Sequence, residues 1–204
     1  MTQTVLKRVL DLAIAVPILA FVWPLLMLIS VLIKLESAGR VYFIQDRIGK
    51  GGAIFRMVKF RTMVVDAEHT GTGLCSYPDD PRVTRVGKYL RAASIDELPQ
   101  LYNVVMGTMS IVGPRPPVGY ELGDYAALTD EMKIRFRVKP GITGLAQVSG
   151  RNSLDWSQKI ALDNMYVERF ARLGILEDLA ILVRTVWVIV SMRSVVEQAP
   201  PQHE

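Results

Sequence analysis

"LAIAVPILAFVWPLLMLISVLI", Leu12 to Ile33, is the stretch on which the fold turns, because it carries no charge and has a proline near its middle. About 22 helical residues at ~1.5 Å each are enough to cross the ~30 Å hydrocarbon core of a bilayer. The run is too long for the apolar core of a secretory signal, and "KLESAGR" follows it instead of a small-residue cleavage site, so it is expected to stay as an anchor. Pro24 removes one helical hydrogen bond, and a sharp bend is expected at Trp23-Pro24. Lys7 and Arg8 precede the run and Lys34, Arg40 and Arg47 follow it, so the positive-inside tendency assigns neither flank to the outside. A re-entrant hairpin, entering and leaving by one membrane face, satisfies both flanks. A plain spanning helix with a proline kink stays open on these residues alone.

The rest of the chain agrees with a membrane surface or a phosphate-rich substrate. Its 204 residues suffice for one domain with a core, half of them are hydrophobic, and the net charge is +4. A mean hydropathy of +0.25 with a pI near 9.3 is a greasy, basic combination. One cysteine, Cys75, excludes an internal disulfide framework, and two histidines, His69 and His203, make an imidazole or thiolate metal site improbable. A metal here would need oxygen ligands, which points to Mg2+.

After the apolar run, "VYFIQ" and "AIFRMVKF" flank "RIGKGG" as a β-hairpin with a glycine-rich turn. The turn lacks the spacing and the Lys-Ser/Thr ending of a P-loop, and no Gly-x-Gly-x-x-Gly fingerprint occurs, so neither nucleotide-binding motif is expected. Residues 66–84 are turn-rich, whereas 85–92, 98–106, 129–138 and 154–169 are expected to be helical. In residues 175–192, Glu177, Asp178, Arg184, Thr185 and Ser191 fall within an arc of roughly 140°, leaving a broad apolar face. That helix either lies in a membrane interface or caps the core. The tail, 196–204, is expected to be disordered.

Chemistry concentrates in "RAASIDELPQLYNVVMGTMSIVGPRPP", Arg91 to Pro117. The adjacent Asp96 and Glu97 have an undemanding explanation: Ser94-Ile95-Asp96-Glu97 matches a capping box, or Asp96 itself caps a helix with Pro99 in its first turn. They also suit phosphoryl transfer, which needs a carboxylate to attack or to hold magnesium and cations to neutralise phosphate oxygens. Arg91, Arg115 in "GPRP", and Lys59 and Arg61 in "KFRTM" supply such cations. "KPGITG", Lys139 to Gly144, adds a Pro-Gly turn that turn chemistry alone explains.

These segments, with "KRVLDL", "QDRIG", "KFRTM", "RFRVKPGITGLAQVSGRN" and "LDNMYV", give the chain a resemblance to the bacterial sugar transferases, the monotopic phosphoglycosyl transferases. The likeness runs through nearly the whole chain, whose length resembles the minimal catalytic unit. It implies an α+β, mainly helical fold: a re-entrant membrane helix broken at Pro24 over 1–35, and a catalytic domain with a small β-hairpin and interfacial amphipathic helices over 36–195. It implies Mg2+-dependent transfer of a sugar 1-phosphate from a UDP-sugar to polyprenyl (undecaprenyl) phosphate, with release of UMP, as the first membrane step of glycan assembly. Asp96 would be the nucleophile forming a phosphosugar intermediate, with Glu97 assisting and sharing the metal. Arg115 and Arg91 would bind phosphate, with Lys59 and Arg61 as further carry-overs.

The resemblance places the protein on the cytoplasmic face of the bacterial inner membrane, without nucleic-acid partners, and leaves a homo-oligomer open. Trp23-Pro24 departs from the Ser-Pro of small relatives, and Lys139 stands where arginine is frequent. Two other classes remain as alternatives. One is a membrane-surface adaptor for anionic lipid that uses Asp96-Glu97 only as a cap; the other is a membrane glycosyltransferase releasing UDP. The identity of the sugar is not written in any residue pattern.

Overall fold

The computed structural model describes residues 2–67, 79–150 and 153–191; the expected disordered tail lies outside them. The fold is mainly helical and opens with α1 (Thr2–Glu36), which stays helical through Pro17 and Pro24. The expected bend at Trp23-Pro24 therefore does not break the helix, consistent with proline removing a single backbone bond. One stripe of α1 is covered by the body, from Lys7, Asp11 and Ala15 to Leu26, Ile29 and Ile33. Most of the rest is exposed and apolar, including Phe21, Trp23, Leu28 and Val31.

Polar side chains fasten both ends of α1. Near its start, Lys7 Nζ donates to Asp178 Oδ2 at 2.6 Å, to Val112 O at 2.9 Å and to Tyr166 Oη at 3.2 Å. Asp11 Oδ1 accepts from Ser110 Oγ and the Ile111 amide, and Arg8 donates to the carbonyls of Val104 and Val105. Lys7 is only 8% exposed, so it is an internal cation and not the surface charge that a flanking-residue count takes it to be. At the other end, Glu36 accepts from the amides of Arg85 and Val86, the first residues of α2 (Arg85–Ala92). This is a carboxylate at a helix N-terminus, where the dipole favours it.

Strands β1 (Tyr42–Ile48) and β2 (Ile54–Phe60) form the expected antiparallel hairpin, in register from Tyr42↔Phe60 to Ile48↔Ile54. In its turn Gly52 has φ 83°, and a Cβ there would meet the Tyr125 ring at 2.4 Å, so both the backbone and the contact require glycine. α3 (Gln100–Met106) docks on β2 through Asn103, whose Oδ1 accepts from the Val58 amide and whose Nδ2 donates to Arg56 O. β3 (Ser110–Val112) follows, then α4 (Gly119–Leu122) and α5 (Asp130–Lys133), which continues as a 3-10 turn through Arg137.

β4 (Gly141–Thr143) pairs in parallel with β3, so "KPGITG" is a strand and not only a turn. α6 (Leu145–Ser149), α7 (Trp156–Leu173) and α8 (Ile175–Val190) complete the fold. Ala15, Val104, Met109, Val112, Tyr166 and Ile181 meet in the main core, while Leu26, Ile29, Ile33, Phe60 and Leu90 form a second cluster under the later half of α1.

α8 is amphipathic in the reverse of the usual sense. Glu177 and Asp178 are buried against the body, and Thr185 meets Thr143, whereas Leu176, Val183, Val186, Trp187 and Val190 are all more than 60% exposed. The expectation of a core cap is thus not what the helix does with its widest apolar face.

Candidate active site

A cavity of about 1270 Å³ runs beneath the β-hairpin and between α1, α6 and α8. Asp96, Glu97, Arg91, Arg115, Lys59 and Arg61 all line it, so one space gathers candidate acids and cations from Lys59 to Arg115, 56 positions apart in the chain. The geometry around the two acids settles the capping alternatives. Ser94 has φ 55°, in the left-handed region, and its side chain caps nothing; Asp96 and Glu97 sit in a 3-10 turn (Ile95–Glu97), and α3 begins later, after Pro99. A non-glycine residue held there is a local strain, and it reverses the chain just before the acids so that they face the cavity.

Glu97 is bound from two sides. Lys59 Nζ donates to its Oε1 at 2.8 Å and Arg115 Nη1 donates to the same oxygen at 3.1 Å. Burial would raise its pKa, but Lys59 and Arg115 outweigh that and hold the carboxyl well below the ordinary range. Asp96 differs: no hydrogen bond reaches its carboxylate among the described residues, and burial, with Glu97 adding to it, pushes its pKa up against the pull of Lys59, Arg91 and Arg115. Burial lowers Lys59, while Glu97 raises Arg115. One acid is therefore neutralised in place, and its neighbour is a half-buried carboxylate with three cations around it and no donor engaging it.

Arg115 is presented by a stiff support. Prolines 114, 116 and 117 carry no amide hydrogen, and the four successive carbonyls of this segment are each held. Pro114 O accepts from the Gly141 amide, Arg115 O from Arg135 Nη2 at 2.6 Å, Pro116 O from Arg47 Nη1 at 3.0 Å and Pro117 O from the Ile48 amide. From Ile111 to Val118 only Arg115 is exposed. Arg135 is itself buried and paired with Asp163 at 2.8 Å; sequence reasoning missed it, because nothing local marks an arginine whose partners are 20 and 28 residues away.

Arg61 is placed differently from its cavity neighbours. Its terminal nitrogens donate to Ser37 O, Ser37 Oγ and Ala38 O, which ties the end of α1 to the hairpin. Arg91 reaches Asp96 electrostatically and lines the cavity. Among the described residues no group of three His, Cys, Asp or Glu side chains stands ready to hold a metal alone. Asp96 and Glu97 offer hard oxygen donors side by side, and that fits an ion such as magnesium, which commonly takes one or two carboxylates and completes its shell with substrate phosphates and water.

Comparison with known proteins identifies the family. The family model described as bacterial sugar transferase matches residues 2–192, and the chain belongs to that family of transferases. It is 45% identical over 185 residues to the UDP-glucose:undecaprenyl-phosphate glucose-1-phosphate transferase of Caulobacter vibrioides, covering 88% of this chain and 68% of that protein. It is 36% identical to the undecaprenyl-phosphate galactose phosphotransferase of Salmonella typhimurium, over 90% of this chain but 40% of that protein. The exopolysaccharide production protein ExoY of Rhizobium meliloti is 38% identical, with 88% of this chain and 83% of that protein aligned.

Proposed function

We propose that the protein transfers a sugar 1-phosphate from a UDP-sugar to undecaprenyl phosphate and releases UMP. The observation that carries this reading is the Asp96 carboxylate, which among the described residues meets no hydrogen-bond donor and which lines a cavity together with Arg91, Lys59 and Arg115. A carboxylate in that state is available to attack phosphorus, and the cations meet the charge on the phosphate oxygens. An Asp96 oxygen forms a bond to the sugar-bearing phosphorus, and the bond from that phosphorus to the bridging oxygen breaks, so that UMP leaves with the electron pair. A phosphate oxygen of the acceptor then attacks the same phosphorus and frees Asp96. Arg115, held rigid at its carbonyl, orients the phosphates, and Glu97 fixes Lys59 and Arg115 in place. Magnesium, held by Asp96 and Glu97 with the pyrophosphate, would supply further charge neutralisation.

The membrane arrangement follows from α1, which is apolar enough to cross a bilayer and which suggests membrane association. Both its ends are fastened to one body, by Lys7 and Asp11 at the start and by Glu36 at the end. This favours a helix that bends at Pro24 without breaking, and so enters and leaves by the same face, over one that spans. The exposed apolar face of α8 would lie in the interface beside it. The UDP-sugar is a cytosolic metabolite, which puts the body on the cytoplasmic side of the inner membrane.

Lipid-independent exchange tests the chemistry. With UDP-sugar and magnesium alone, labelled UMP should enter UDP-sugar as the first half-reaction reverses. A preparation freed of acceptor lipid that transfers fully when polyprenyl phosphate is added, yet shows no exchange, would exclude the covalent step. For topology, Gln3→Cys and Ala38→Cys in a Cys75→Ser background should both resist an impermeant thiol reagent applied to intact cells. Labelling of the Gln3→Cys site alone from outside would establish a spanning helix.

A further inference from the structure

Lys159 lines the cavity from the start of α7, and its charge is placed against the local electrostatics. A helix N-terminus disfavours a cation, and Arg115 and Arg135 are near enough to repel it. Burial first, and then Arg115, pull its pKa down. Among the described residues its ammonium makes no hydrogen bond or ion pair. Two carboxylates, Glu121 and Asp155, are within electrostatic reach, and both are engaged elsewhere. Glu121 Oε2 accepts from the Val118 amide and faces Arg47 Nη1 at 3.6 Å, while Asp155 Oδ1 accepts from Ser157 Oγ and the Gln158 amide. Trp156, which also lines the cavity, supports the side chain: Lys159 Nζ lies 5.2 Å from the centre of an indole ring that has the Arg135 guanidinium 5.4 Å away. Lys159 is thus a positioned, half-buried cation on a cavity wall with no counter-ion.

We propose that Lys159, together with the Arg115 fork, grips the nucleotide-side phosphate of the donor, the one that leaves in UMP; this rests on the UDP-sugar reading above. Arg115 acts electrostatically on both Asp96 and Lys159, whereas Lys59 and Arg91 act on Asp96 and Arg135 acts on Lys159. A phosphate beside Lys159 is therefore the neighbour of the one that Asp96 attacks, and the two phosphates of a diphosphate are one oxygen apart. Arg115 Nη1 is engaged by Glu97, and the other guanidinium donors meet no acceptor among the described residues, so the planar fork can serve one phosphate while Lys159 meets the next as a point charge. The acceptor's phosphate carries an apolar chain and is less suited to this end of the cavity. Its apolar wall comes from Ile14 and Ile18 of α1 and Leu182 and Val188 of α8, while Gln45, Arg47 and Glu121 form a polar wall on the side of Lys159.

The test uses the full-length protein in detergent with magnesium, titrated with UMP in calorimetry and assayed with UDP-glucose or UDP-galactose and polyprenyl phosphate varied in turn. Lys159→Met keeps an apolar stem against Trp156 and removes the charge. It should weaken UMP binding about tenfold and raise KM for the donor by a similar factor, with KM for polyprenyl phosphate changed less than about twofold. Lys159→Arg, which keeps the charge, should bind UMP within about threefold of the unaltered protein. Unchanged UMP affinity in Lys159→Met would overturn the proposal, and a rise confined to KM for polyprenyl phosphate would do so by moving the lysine to the acceptor. If both KM values rise together, as a disturbed fold would make them, the arginine variant decides: recovered UMP affinity upholds the charge role, and no recovery overturns it. Each of these failures leaves the transferase reading standing, because the unaltered protein still turns over donor. If the unaltered protein binds no UMP and turns over neither UDP-sugar, the transferase reading itself is overturned.

Discussion

The molecule buries two clusters of charge, and they are finished to different degrees. Beneath the start of α1, Lys7 meets Asp178, Tyr166 and Val112 O, while Tyr166 Oη donates in turn to Asp178 Oδ1 at 2.7 Å; the cation and the anion each have their partners. In the cavity, Lys59 and Arg115 converge on one oxygen of Glu97, Arg91 stands nearby, and Asp96 is left without a donor. The first cluster is closed and holds α1 to the body. The second sets three cations around a carboxylate that no donor engages among the described residues, and such incompleteness is what a substrate can fill. Buried charge alone therefore does not mark a site; the state of its partners does.

The sharpest way to break the contrast is Asp96→Asn. It leaves size and shape in place and should lower transfer by at least ~10³-fold, measured as UMP release, with the thermal unfolding midpoint nearly unchanged. Lys7→Met should do the opposite. It strands Asp178 as a buried charge and should cost about 3–5 kcal/mol of stability in denaturant titration, while kcat of the folded fraction stays close to normal. Adding Asp178→Leu should recover much of that loss, since a well-packed apolar pair often replaces a buried ion pair without penalty.

Asp163, beneath Arg135, sharpens the comparison through pH. Burial pushes its pKa up to about 6 against the pull of Arg135, so the folded state binds the proton more tightly than the unfolded chain does. Its contribution is fully present below the unfolded value near 3.9 and is lost as pH rises through about 6. Unfolding free energy should therefore fall, by on the order of 3 kcal/mol, across that window, and Asp163→Asn should flatten the slope. The smallest effect expected is from Arg115→Lys, which keeps the charge and loses the planar fork. A roughly tenfold fall in kcat/KM with Glu97 still paired to Lys59 would fit the phosphate role; an unchanged rate would remove Arg115 from it.

Much of this was legible from the chain because local signals wrote it. The hairpin followed from β-rich runs around glycines, and α2 matched its expected residues, 85–92, with Thr84 as the cap. Asp96, Glu97, Arg115, Lys59 and Arg91 could be nominated because phosphoryl transfer calls for those residue types. What stayed hidden depends on distant partners. The three-residue pairing of β3 with β4 is too short to show periodicity, and "KPGITG" read as a turn because its proline and glycines dominate. Ser94 matched a capping box in spacing while its backbone lies in the left-handed region, which no spacing reports. Lys7 counted as a membrane-flanking charge until Asp178, 171 residues away, was found to neutralise it. Lys159 gave no signal at all, since a lysine without a counter-ion is visible only once its surroundings are known.

The inside-out helix α8 also bears on how the protein can be handled. Cutting away α1 is the natural route to a detergent-free enzyme, since α1 holds the long apolar run. The shortened chain would still turn Val183, Trp187 and Val190 toward water, and it would lose Lys7, the only cation among the described residues that hydrogen-bonds Asp178. Such a chain would therefore be both sticky and unstable, and water solubility would have to be engineered on α8, by replacing its outward apolar residues, with α1 left in place.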